Sequence, residues 1–140
     1  RGSGGLFSGY GVSFGSDLGT ATLENGGTIS SLNGIGVYQG SSSDLAIRNL
    51  AGGTITGATQ GIFGAPEGSI TIDNAGTTRG NGIGDPFDSP SGAAINIATA
   101  NSSVTNTGTI SGPGFGITTN YAGSERKDVR RRAFLAYLDR

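Results

Sequence analysis

Catalysis on a glycan or an ester needs a base, an acid and often a metal-holding carboxylate, and this chain offers few such groups. It contains no histidine and no cysteine. That removes the commonest general base and every Ser-His-Asp or Cys-His arrangement, together with thiolate metal sites and a disulfide framework. Its one lysine is Lys127, near the C-terminus. What remains is the set Glu24, Arg48 and Asp73. Each follows an apolar residue at the same place in a repeated phrase: Glu24 after Leu23, Arg48 after Ile47, Asp73 after Ile72. An arginine base beside cation-holding carboxylates is what a polysaccharide lyase requires. The same residues also suit a row of complementary charges on neighbouring strands, and the charge row is the expectation. Paired carboxylates for glycoside cleavage have no counterpart. The chain is not expected to be an enzyme, and no catalytic or cofactor-binding residue is assigned.

A second possible chemistry is cation binding. The stretch GNGIGD (80–85) resembles half of a calcium-binding nonapeptide, in which Gly-rich turns each present one carboxylate. Calcium takes ligands from successive turns, so tandem copies are needed. There is one copy, and no metal site is expected.

These residues sit in a repeat. Four phrases open on apolar-x-apolar-x-Asn or its near equivalent, ending at Asn25, Asn49, Asn74 and Asn106. A Gly-bearing bend follows, then Thr28-Ile29-Ser30, Thr54-Ile55-Thr56, Thr77-Thr78-Arg79 or Thr109-Ile110-Ser111. A second bend leads to a third strand expected to start at Ile35, Ile62, Ile95 or Ile117. The asparagines lie 24, 25 and 32 residues apart, and the long interval contains GDPFDSPS (84–91), which reads as an inserted loop. Upstream, GYGVSFG (9–15) matches GIGVYQG (34–40).

Apolar residues two apart point to one face of a strand. No single unit buries that face alone, but stacked units do, each isoleucine lying over the next at the strand spacing. Three short strands per unit of about 24 residues, four to five times over, predict an all-β fold, a parallel β-helix (β-solenoid) spanning residues 1–123. Glycine, 28 of 140 residues, supplies the bends. The expected structural ladder is Asn25, Asn49, Asn74 and Asn106 at the corners, with Ile29, Ile55 and Ile110 stacked inside. At a corner the asparagine amide can turn in and bond along the stack to groups the strands do not reach.

Function in a solenoid usually sits where regularity breaks. One break is the loop at 84–91, where Asp85, Phe87 and Asp88 form the candidate recognition loop. The other is SERKDVRRRAFLAYLDR (124–140), with six basic and three acidic residues in 125–140, against three basic and seven acidic in 1–124. Ser124 suits an N-cap with Glu125 and Asp128 in the first turn. Val129, Ala133, Phe134, Tyr137 and Leu138 then share one face of a predicted C-terminal α-helix. Three roles compete for it: a cap over the open solenoid end, a self-association or partner helix, and a basic segment for anionic membrane or nucleic acid. The cap is the expectation. Aromatic and basic residues do not alternate as on a nucleic-acid platform, so neither nucleic acid nor membrane contact is expected. Rows of Thr and Ser on the middle strands also raise ice binding, but Thr78 and Arg79 interrupt them.

With the repeat in view, residues 9–123 resemble the passenger domains of Gram-negative autotransporters, the pertactin-like β-helices of type V secretion. The phrase from Asn106 to Ile117 carries the likeness most fully, with looser versions around Asn25, Asn49 and Asn74. The resemblance implies a right-handed coil and export through a C-terminal β-barrel. It also implies a cell-surface or secreted location and a role in adhesion, with a host surface protein or glycan as partner. Self-association through the solenoid ends or the C-terminal helix is the other expected contact. The chain departs from the family in lacking the barrel and a signal peptide, and its Arg-rich end differs from the usual passenger end. A fragment, natural or engineered, is therefore expected, with RGSG at the start reading as a linker. A purely structural or engineered capped solenoid without a ligand is the alternative.

Overall fold

The computed structural model describes residues 9–15, 19–40, 44–82, 93–99 and 101–119. Among them the chain forms thirteen strands and no helix. Every strand pairs with the strand three further along, always in parallel. The first sheet runs β1 (Tyr10–Phe14), β4 (Ile35–Gln39), β7 (Ile62–Gly64), β10 (Ala93–Ile97) and β13 (Phe115–Thr119). The second runs β2 (Thr20–Asn25), β5 (Asp44–Asn49), β8 (Ser69–Asn74) and β11 (Ser102–Asn106). The third runs β3 (Thr28–Ser31), β6 (Thr54–Gly57), β9 (Thr77–Gly80) and β12 (Thr109–Ser111). The result is a three-sided parallel β-solenoid of about four turns, with β13 opening the next one. The predicted helix at 124–140 and the inserted loop at 84–91 lie outside the described residues.

The core is a set of vertical columns. Leu23, Ile47, Ile72 and Val104 occupy one register position, and Ile29, Ile55, Thr78 and Ile110 another. Val12, Val37, Ile62, Ile95 and Ile117 form the column of the first sheet. Ile47, Ile55, Ile62, Ile70, Ile95 and Ile97 are closed to solvent, and each such side chain is worth about 1.5–3 kcal/mol relative to exposure. No coil supplies both walls of this core, so stability is a property of neighbouring pairs.

One register differs from the sequence expectation. β4 and β7 begin at Ile35 and Ile62 as expected, but Val37, not Ile35, stands level with Ile62. The bend after Asn49, Leu50-Ala51-Gly52-Gly53, is two residues longer than the bend after Asn25, and Gly52 carries a positive φ of 83°. Level residues are thus 26 apart at Ser31 and Gly57 and 25 apart at Val37 and Ile62, whereas Ile35 and Ile62 are 27 apart. Close backbone approach also fixes the level. A Cβ on Gly36 would stand 2.7 Å from the carbonyl oxygens of both Gly61 and Thr56, so no isoleucine fits there. The strands of this sheet also begin earlier than expected in later coils, at Ala93 and Phe115.

Candidate functional site

The most ordered polar feature is the corner where the second sheet meets the third. There each strand ends on asparagine, and β2, β5, β8 and β11 bring Asn25, Asn49, Asn74 and Asn106 into one register position. Asn25 Nδ2 donates to Asn49 Oδ1 at 2.8 Å, Asn49 Nδ2 to Asn74 Oδ1 at 2.8 Å, and Asn74 Nδ2 to Asn106 Oδ1 at 2.8 Å. The same nitrogens reach the bend carbonyls of their own coils, at Gly27, Gly53 and Gly76. They also reach the first carbonyl of the next middle strand, at Thr54, Thr77 and Thr109. Asn49 and Asn74 are closed to solvent. A primary amide has two donors and a two-lone-pair acceptor. Turned inward, it adds a second bond to bend carbonyls that already accept from the backbone N–H of Thr54, Thr77 and Thr109 in the next coil.

Local sequence makes this corner possible. The Asn-x-Gly-Thr phrase folds the backbone so tightly that the amides of both Ala75 and Gly76 donate to the Asn49 carbonyl, at 2.8 and 3.1 Å. At Gly76 a Cβ would lie 2.2 Å from the Gly53 carbonyl oxygen. The position is therefore closed to any side chain.

One rung differs from the rest. In the column of Ile29, Ile55 and Ile110 the third coil places Thr78, fully buried. Its hydroxyl donates to Asn74 Oδ1 at 3.0 Å, beside the bond from Asn49. A polar atom in the core is thereby satisfied within its own coil.

The outer faces carry three different chemistries. On the second sheet, Glu24, Arg48 and Asp73 stand in one row. Arg48 Nη1 meets Glu24 Oε2 at 3.2 Å, both side chains being more than half exposed. Asp73 has no ion-pair partner among the described residues. Two rows away on the same face, beyond Thr22, Ala46 and Thr71, Ser69 Oγ donates to Asp44 Oδ1 at 2.9 Å. Water screens this face, so the row trims repulsion and adds little energy. Among the described residues, no three His, Cys, Asp or Glu side chains converge to hold a metal ion.

The third sheet presents hydroxyls. Thr28, Thr54, Thr77 and Thr109 form an unbroken rank, with Ser30, Thr56, Arg79 and Ser111 beside it. The first sheet presents stacked rings. Tyr10 and Tyr38 lie 4.4 Å apart between centroids, and Tyr38 and Phe63 lie 5.3 Å apart, with planes within 16° and 9° of parallel. This aromatic stack was not anticipated from the sequence, although Tyr38 and Phe63 stand one coil period apart and could have been found that way. Tyr38 is thereby sandwiched between the rings of Tyr10 and Phe63. The stack gives way to Asn96, level with Phe63 and closed to solvent, whose Oδ1 accepts from Thr118 Oγ1 at 3.3 Å.

Asp85, Phe87 and Asp88 of the candidate recognition loop lie outside the described residues, as do Val129, Ala133, Phe134, Tyr137 and Leu138. No family model, curated protein or solved structure matches this chain.

Proposed function

We propose that this chain is a non-enzymatic, right-handed β-helical module of a cell-surface or secreted protein, a segment of an autotransporter passenger that acts in adhesion. The observation behind this reading is where the polar groups go. The inward amides of Asn25, Asn49 and Asn74 are consumed in holding coil to coil. The described charged side chains Glu24, Asp44, Arg48, Glu67, Asp73 and Arg79 stand exposed on sheet faces and in a bend, and no three of the acidic ones converge on one point. Such a wall displays loops and faces to a partner, and recognition then falls to the segment that interrupts it, 84–91, through Asp85, Phe87 and Asp88. A host surface protein or glycan is the partner class.

The test is saturable binding of the whole chain to immobilised host matrix proteins and to a glycan array. It is repeated with Asp85→Ala, Phe87→Ala and Asp88→Ala combined. Binding that the triple variant loses supports the adhesin reading. If the parent chain binds nothing, the second reading stands: a solenoid whose role is purely structural, which the ladder from Asn25 to Asn106 favours because it serves stacking alone.

A further inference from the structure

Three asparagines of this chain are followed directly by glycine: Asn25-Gly26, Asn33-Gly34 and Asn81-Gly82. That pair carries a chemistry of its own. With no Cβ on the glycine to hinder approach, its backbone nitrogen can attack the asparagine side-chain carbonyl carbon and close a five-membered imide. Two partners must be free: an asparagine side chain able to turn, and a glycine N–H able to leave its hydrogen bond. The fold treats the three pairs differently.

At Asn25 the side chain is locked. It is 6% exposed, Nδ2 donates to Gly27, Asn49 and Thr54, and Oδ1 accepts from the Gly27 N–H at 3.2 Å. At Asn33 the lock is on the glycine. The Asn33 side chain is exposed, but Gly34 is buried and its N–H donates to Ser31 Oγ at 3.1 Å. A Cβ on Gly34 would collide with the Gly9 carbonyl oxygen, so its backbone has no room to turn. Neither lock acts at Asn81. This residue follows the end of β9, is exposed, and has no side-chain partner among the described residues. Gly82 is half-buried, and its N–H reaches the Thr59 carbonyl only at 3.2 Å, against 3.0 Å for the Asn81 N–H on Gly57.

We propose that Asn81 is a site of self-modification, converting to aspartate and isoaspartate in the folded chain while Asn25 and Asn33 keep their amides. In the first step the Gly82 nitrogen bonds to Asn81 Cγ and the Cγ–Nδ2 bond breaks. Nδ2 departs as ammonia, the Gly82 amide proton making up its third hydrogen. One water then opens the imide. Cleavage at Cγ leaves an ordinary aspartate, and cleavage at the backbone carbonyl leaves isoaspartate, with the chain running through Cγ. No electrons are exchanged. The product places a carboxylate two residues from Arg79 and, as isoaspartate, one extra backbone carbon after β9.

The experiment incubates the full chain in mildly alkaline buffer beside synthetic peptides of residues 22–28, 30–36 and 78–84, which carry the three pairs without the fold. Mass-spectrometric peptide mapping follows conversion, and enzymatic methylation reports isoaspartate. Asn81 in the chain is expected to convert within about tenfold of its peptide, whereas Asn25 and Asn33 lag theirs by more than that, because they wait for local opening. An Asn81 that lags its peptide by the larger margin overturns the proposal. So does an Asn25 or Asn33 that keeps pace with its own peptide, since the locks would then protect nothing.

Discussion

Asn49 Nδ2 lies 2.8 Å from Asn74 Oδ1, one coil further along, and the same nitrogen reaches the carbonyl oxygens of Thr77 at 3.1 Å and Gly53 at 3.3 Å. A single side chain thus ties its own bend to the bend and the middle strand of the next coil. All of this happens at a position closed to solvent, where an unmade bond costs the full desolvation of the group left behind.

Asn49→Ala is therefore expected to remove about 2–4 kcal/mol of stability, because it breaks the rungs to both Asn25 and Asn74 and leaves a cavity at a position closed to solvent. Asn106→Ala, at a half-buried end rung, should cost about 1 kcal/mol or less. Urea denaturation of the two variants beside the parent provides the comparison. Equal losses would mean that the ladder does not act through its inner rungs.

Thr78→Val keeps the shape of the side chain and deletes one hydroxyl. Asn74 Oδ1 keeps its bond from Asn49, so no buried acceptor is orphaned, and apolar surface is gained in an isoleucine column. The expected change is within about 1 kcal/mol of the parent in either direction. A loss of about 3 kcal/mol in thermal or urea unfolding would show that the hydroxyl holds more than this one contact.

Gly76→Ala and Gly26→Ala test close approach directly. The added methyl at Gly76 meets backbone oxygen at 2.2 Å, whereas at Gly26 the nearest atom is Leu50 Cδ1 at 3.7 Å. The first should cost more than about 2 kcal/mol, and the second should stay within about 1 kcal/mol of the parent. Melting temperatures of the pair decide the matter, and similar values would contradict the packed-corner account.

Arg48→Ala removes the partner of Glu24 from a face open to water. A change of no more than about 0.5 kcal/mol is expected at low salt, shrinking further at 1 M salt. A large loss that persists at high salt would give this arginine a packing role.

The parts of the fold legible in the sequence were those with a fixed partner one coil away. The asparagine corners and the Thr-Ile-Ser triplets repeat in type as well as spacing, so their alignment needed only counting. Ile35 stands two residues below the level of Ile62, although residue type suggested isoleucine over isoleucine, because the level is set by backbone contact at Gly36 and by the spacing of the coils, 25 residues at this sheet. The stack of Tyr10, Tyr38 and Phe63 went unread because coil-to-coil pairing on the outer faces was sought among charges and hydroxyls and not among rings. Thr78 stood out as an interruption of a row, but its bond to Asn74 required the turn geometry. Recognition is less legible still. Wall residues are chosen by their neighbours in the stack, and such choices carry no information about what the wall faces.

All the ladder amides share one orientation, and that has an electrical consequence. Each amide dipole is about 3.5 D, and aligned head to tail they reinforce one another as peptide groups do along a helix. The solenoid therefore behaves as a small bar with poles, positive beside Asn106 and negative beside Asn25. Unlike poles attract and like poles repel, so any longer filament built from such bars would keep a single sense along its length.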